Sequence, residues 1–162
     1  MTIYIRDRQK KAKVDHRRLR RVLSSLMKSL GCREREISLL LVDNEGIREI
    51  NRIYLGRDYP TNVIAFSLAE GEYGEINPHV LGDVVISVEK VRTDAEESGI
   101  EVDDAMDFLI IHGLLHLLGY DHERSGQEDD GAEMRCKEEE LFAALKGYSL
   151  TSSGEMEGNI RS

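Results

Sequence analysis

His112-Gly113-Leu114-Leu115-His116-Leu117-Leu118-Gly119-Tyr120-Asp121-His122 is the stretch on which both the fold and the chemistry of this chain turn. His112 and His116 stand four apart inside an apolar run from Met106 to Leu118. On a helix that spacing puts two imidazoles on one face, one turn apart. Both can then reach a single ion at about 2.0–2.1 Å, the usual zinc–imidazole distance. Gly119 reads as the helix stop, because glycine accepts the left-handed conformation that ends a helix. The chain can turn there and deliver His122 as a third ligand. Three histidines leave the fourth tetrahedral position open, which is the arrangement of a catalytic zinc. The chain has five histidines, and three of them fall within this stretch. Burying separate imidazoles among leucines and isoleucines would be costly without a shared partner, so one Zn²⁺ per chain is expected here.

The spacing matches the zinc-peptidase pattern H-E-x-x-H-x-x-G-x-x-H, glycine included, with one departure. Gly113 stands where the peptidase keeps its general-base glutamate. A peptidase of that kind needs the carboxylate to take a proton from water. The ligand spacing therefore predicts hydrolysis without predicting proteolysis. Asp121, beside His122, is a candidate to orient a ligand imidazole from behind. Glycine inside a helix costs about 1 kcal/mol relative to alanine. A packing or site reason is therefore expected at Gly113, one being that a side chain there would crowd a substrate or a neighbouring strand.

The histidine stretch resembles the signature of the YbeY family, bacterial metal-dependent endoribonucleases. Asp58-Tyr59-Pro60-Thr61-Asn62-Val63-Ile64-Ala65-Phe66 and Leu81-Gly82-Asp83-Val84-Val85-Ile86-Ser87 resemble two further segments of that family, in the same order. The resemblance spans roughly residues 1–147. It implies a single-strand-specific endoribonuclease that matures ribosomal RNA, including the 3′ end of the small-subunit RNA, and takes part in ribosome quality control. Implied partners are RNA and the ribosome or its small subunit. An arginine associated with function in many family members falls here at Leu55. Arg57 is the candidate substitute, placed to neutralise charge on a pentavalent phosphorane.

At 162 residues the chain can build one core but not two comfortable ones. Hydrophobic residues make up 40% and charged ones 33%, and Trp is absent. The core must therefore come from Leu, Ile and Val. Cys32 and Cys136 offer neither a metal spacing nor a disulfide framework. No stretch reaches the ~18 unbroken apolar residues of a membrane span, and the basic N-terminal stretch leads into no apolar run. A cytoplasmic enzyme with no membrane partner is expected. The net charge of −9 is unevenly spread, since residues 6–21 hold nine Lys or Arg against Asp7 and Asp15. Such asymmetry marks either a nucleic-acid contact or a solvated helix face. Residues 6–21 are expected to present a basic face near the metal cleft and to contribute to RNA affinity.

In chain order, Thr2 to Arg6 alternates as a strand, and Asp15 caps a helix to about Leu30 with its stripe on Leu19, Val22, Leu23, Leu26 and Leu30. Glu36 to Val42 is too apolar for an exposed strand and reads as a central one. Asp43 or Asn44 caps a helix through Ile47, Ile50 and Tyr54. A polar loop, Gly56 to Thr61, leads to a strand from Asn62 to Leu68. Ala69 to Pro78 is turn-rich and reads as a mobile loop. A strand, Leu81 to Val88, precedes a helix from about Glu89 to Ser98. The metal helix opens at Asp103 and Asp104, and a last helix runs from about Gly131 to Leu145, after the polar stretch 123–130. Residues 148–162 read as a disordered tail.

This order predicts a single α/β (α+β) domain over 1–147, with a small mixed sheet of about four strands, helices packed on it and a central metal-bearing helix. Two rivals to the endoribonuclease reading remain. One is a ribosome-assembly RNA-binding factor with a structural zinc. The other is a metal-dependent hydrolase of a non-RNA substrate such as a peptide. A fourth protein ligand closing the site would favour the structural role.

Overall fold

A computed structural model describes residues 1–68, 79–120 and 130–150. Strand β1 (Thr2–Asp7) is followed by α1 (His16–Ser29), β2 (Glu36–Val42), α2 (Asn44–Leu55), β3 (Val63–Ser67), β4 (Val80–Ser87), α3 (Val88–Ser98), α4 (Val102–Leu117) and α5 (Asp130–Lys146). Helix starts follow local chemistry. The Asp15 carboxylate accepts from the Arg18 amide, and Asp43 accepts from the Gly46 amide. Helix α2 ends on Gly56 at φ +68°, where a left-handed turn releases the chain into the loop ahead of β3.

The sheet order is β1-β2-β4-β3, parallel except for the antiparallel β3–β4 pair. Strand β2 is central, as its apolar composition predicts. Register places Ile5, Leu39, Val84 and Ala65 in one row on the inner face. Helices α1, α3 and α4 pack there and build the main core, with Leu23, Leu39, Val91 and Leu114 fully or almost fully buried. On the outer face, α2 caps a small cluster of Val42, Ile47, Ile64 and Val85. Tyr54, read as part of the α2 stripe, is instead 68% exposed and meets Phe66 edge-on. Its position near the helix C-terminus carries it past the end of that cluster.

Strand β4 carries an irregularity. Glu36 of β2 pairs with Val80 while Ile37 pairs with Gly82, so Leu81 is an extra residue. Gly82 sits at φ +142°. The edge of the sheet beyond β4 is β3, whose pairing can be assigned from two bonds. Ser87 donates its amide to Asn62 and Leu68 donates to Leu81. The backbone groups of the even-numbered residues of β3 therefore face β4, and the amides and carbonyls of Val63, Ala65 and Ser67 face the outer edge, which has no strand partner among the described residues.

Helix α4 is buried along almost its whole length. Asp107 within it is a fully buried carboxylate, paired with Arg18 of α1 at 2.8 Å and with Lys146 of α5. Burial alone would lower the Lys146 pKa, but the hydrogen bond and charge of Asp107 outweigh it and raise it. A buried acid held by two cations ties three helices together, because a lone charge there would be too costly.

The basic segment was expected near the metal cleft. It occupies β1, α1 and their connection, at the opposite edge of the sheet from β3. Arg18 is engaged with Asp107, and Arg20 donates to the Ile3 carbonyl at 2.7 Å. Both are structural cations. The stretches 69–78 and 123–129, Asp121 and His122 lie outside the described residues. So does 151–162 of the expected tail. Its first residues are held, since the Tyr148 hydroxyl donates to Asp104 at 2.7 Å and Leu150 packs against the main core. No helix among the described residues is long and apolar enough to cross a membrane.

Candidate metal centre and cleft

The two helical histidines meet as their spacing requires. His112 Nε2 and His116 Nε2 lie 3.2 Å apart, with the rings nearly perpendicular. Two imidazoles on one tetrahedral zinc at about 2.05 Å would stand about 3.3 Å apart. His112 is buried and its Nδ1 lies 3.1 Å from Oε2 of Glu138, a fully buried residue of α5. A carboxylate can only accept, so the ring hydrogen belongs on Nδ1 and the Nε2 lone pair points toward His116. That is the carboxylate–histidine arrangement that prepares an imidazole for a metal. The two imidazoles are therefore placed to share one metal ion. Among the described residues no third metal-binding side chain joins this pair. Helix α4 ends as predicted, with Gly119 at φ +92° and the Tyr120 amide donating back to Leu115.

Glu138 escaped the sequence reading, which looked for the supporting carboxylate at Asp121. It sits in the run Lys137-Glu138-Glu139-Glu140, which looks like a solvated face. The signal was its phase. Met134, Glu138, Leu141 and Phe142 are spaced as one helical stripe, and all four are buried. An acid on an apolar stripe asks for a buried partner.

The histidines open into a cleft of about 200 Å³ at the outer edge of β3. Its other walls are Val63, Ile64 and Ala65 of β3, Asn51 and Leu55 of α2, and Arg57, Tyr59 and Thr61 of the intervening loop. Arg57 thus shares the cleft with the imidazoles, and Leu55 lies on the same wall. Asn51, almost fully buried, holds the loop from both sides. Its side-chain amide donates to the Tyr59 carbonyl at 2.9 Å, and its own carbonyl accepts from the Arg57 amide at 3.2 Å. No residue of the basic segment 6–21 lines this cleft. Neither does any carboxylate among the described residues.

Gly113 also lines the cleft, but its reason for being glycine lies behind it. A β-carbon there would stand 2.8 Å from Cγ1 and 3.1 Å from Cγ2 of Val84 on β4. The neighbouring strand, not a substrate, sets the limit. Gly113→Ala should therefore destabilise the protein by about 1–3 kcal/mol of overpacking, partly offset by about 1 kcal/mol of helix propensity. Val84→Ala removes both offending methyls, so adding it should make Gly113→Ala cost less than it does alone. Denaturant unfolding of both single variants and the double variant checks this, and strict additivity would show that the contact is not what matters.

Known proteins are similar to this chain over most of its length. The model of the family described as "Endoribonuclease YbeY" matches residues 4–146. A protein of Syntrophus aciditrophicus named endoribonuclease YbeY is 57% identical over 150 residues, covering 93% of this chain and 93% of that protein. One of the same name from Geobacter sulfurreducens is 46% identical, covering 93% of this chain and 99% of the relative. A solution structure of a Thermotoga maritima protein shares the fold with a TM-score of 0.58 at 23% identity, covering 90% of this chain and 93% of that one.

Proposed function

The chain belongs to the YbeY family of endoribonucleases, and from that membership we propose a zinc-dependent endoribonuclease that cuts single-stranded RNA during ribosomal RNA maturation in the cytoplasm. The observation that carries the cleft's role is the pairing of Arg57 with two convergent imidazoles, on walls that hold no carboxylate among the described residues. Such a cleft suits an anionic substrate.

In this reading His112, His116 and His122 hold one zinc ion, with His122 assigned from its spacing. When bound, zinc supplies Lewis acidity toward a phosphoryl oxygen and a water acidic near about pH 7. Glu138 keeps the hydrogen of His112 on Nδ1, so that Nε2 stays a donor of its lone pair. Arg57 pairs with the phosphoryl oxygens and opposes the charge that grows on them as the new bond forms. Asn51 holds the Arg57 loop in place from both sides. The outward amides and carbonyls of Val63 and Ala65 offer hydrogen bonds to ribose hydroxyls and base edges along the cleft. RNA is the direct partner, and the ribosome or its small subunit is where that RNA resides.

Zinc removal by a chelator should abolish cleavage of a single-stranded RNA, and restoring about one equivalent of zinc should bring it back. Arg57→Ala should retain zinc and lose about ten- to a hundredfold in cleavage rate. Chelated protein that cuts as fast as the loaded form would reject the metal dependence. An Arg57→Ala variant as fast as its parent would remove Arg57 from the mechanism.

A further inference from the structure

We propose that the outer face of the sheet, from Arg6 and Arg8 at one edge to Phe66 at the other, is a track for single-stranded RNA continuous with the cleft. This rests on the endoribonuclease reading and adds a substrate-binding surface outside the metal site. Helix α2 covers one part of that face and reaches Phe66 through Tyr54, and among the described residues no helix packs over Tyr4, Ser38 and Asp83 farther along the same row. The hollow beside α2 measures about 410 Å³, and Arg6, Arg8, Tyr54, Phe66 and Asp83 are among its walls. A volume of that size is ordinary for a bound small molecule or a nucleotide unit.

Charge and ring chemistry select the occupant. Arg6 and Arg8 are exposed and make no ion pair with an acid among the described residues. Tyr54 and Tyr4 are 68% and 52% exposed, and Tyr54 meets Phe66 at a centroid distance of 5.6 Å. Exposed aromatic rings beside arginines are what a single strand uses, with bases stacked on rings and phosphates on guanidinium groups. Asp83 lies between them. It would turn the phosphates toward the arginine side and can accept from a base amino group.

Continuity with the cleft supplies the second reason. Tyr54 adjoins Leu55, and Phe66 adjoins Ala65, and both of those neighbours line the metal cleft. A strand leaving the cleft over the edge of β3 would meet these rings first. The two arginines lie three strand spacings further on, roughly 14 Å away.

The test uses metal-loaded protein and two substrates. One is a single-stranded RNA of about twenty nucleotides, and the other is a short oligonucleotide that fills the cleft alone. Arg6→Ala with Arg8→Ala, and separately Tyr54→Ala, should raise KM for the long RNA about tenfold and flatten its salt dependence in the arginine variant. Its kcat, and cleavage of the short oligonucleotide, should stay at the wild-type level. An unchanged KM for the long RNA in both variants overturns the track and leaves this face to a protein partner, while the cleavage assignment stands. Equal losses on both substrates would also overturn it, since the effect would then be on the cleft. Wild-type protein that cuts neither RNA would reject the endoribonuclease reading itself, and the track with it.

Discussion

His116→Ala should lower RNA cleavage by more than about a hundredfold and release the zinc, while leaving the protein folded. Losing a group behind a ligand typically costs about ten- to a hundredfold in affinity or activity, and losing a ligand outright should cost more. The fold should survive because His116 is half-buried at the cleft and shares Nε2 contact with His112. His112→Ala differs in a useful way. It removes the same coordination but also takes the imidazole from the buried carboxylate of Glu138. An additional stability loss of about 1–3 kcal/mol should appear in that variant alone. Zinc stoichiometry, competition with a coloured chelator and denaturant unfolding read the three quantities separately. If His116→Ala binds zinc as tightly as its parent, the two convergent nitrogens are not the ligand pair, whatever the cleavage rate does.

The largest stability effect is expected at Gly82. A β-carbon there would stand 2.0 Å from the Phe66 carbonyl oxygen and 3.0 Å from Leu117 on α4. Backbone cannot yield as a side-chain tip can, and the φ of +142° is itself one that other residues rarely adopt. Gly82→Ala must therefore separate β3 from β4 or flatten the irregularity at Leu81. A loss of more than about 3 kcal/mol is expected, at the upper end for a single substitution. Because β3 forms a wall of the cleft, cleavage should fall with it. A variant with wild-type unfolding midpoint and intact activity would mean that the strand pairing around Gly82 is wrong.

The parts of this fold that sequence disclosed are those with local causes. Asp15 and Asp43 cap because their side chains reach amides three residues on. Strand β2 is central because a run of Ile, Leu and Val cannot face water. The His112–His116 pair follows from helical pitch alone. Sheet order, by contrast, has no local signature. Nothing in residues 6–21 records that β1 is the edge strand opposite β3, so the sequence did not show that this segment would line no wall of the cleft. Glu138 was missed because its partner is 26 residues away, although its phase on α5 was visible. At Gly113 the sequence left a packing reason and a site reason open, and the structure supplies the packing one. Its partner, Val84, needed the fold.

The bond from Glu138 to His112 also has a consequence in time. Synthesis proceeds from the N-terminus, so α4 with His112 and His116 is complete before α5 exists. Until α5 docks, His112 lacks the acceptor that fixes its ring hydrogen, and the anchoring cation Lys146 has not yet met Asp107. A nascent chain that stops short of α5 carries His112 without the acceptor that settles its tautomer. The His112 ring and the buried Asp107 carboxylate thus both depend on the last helix of the chain.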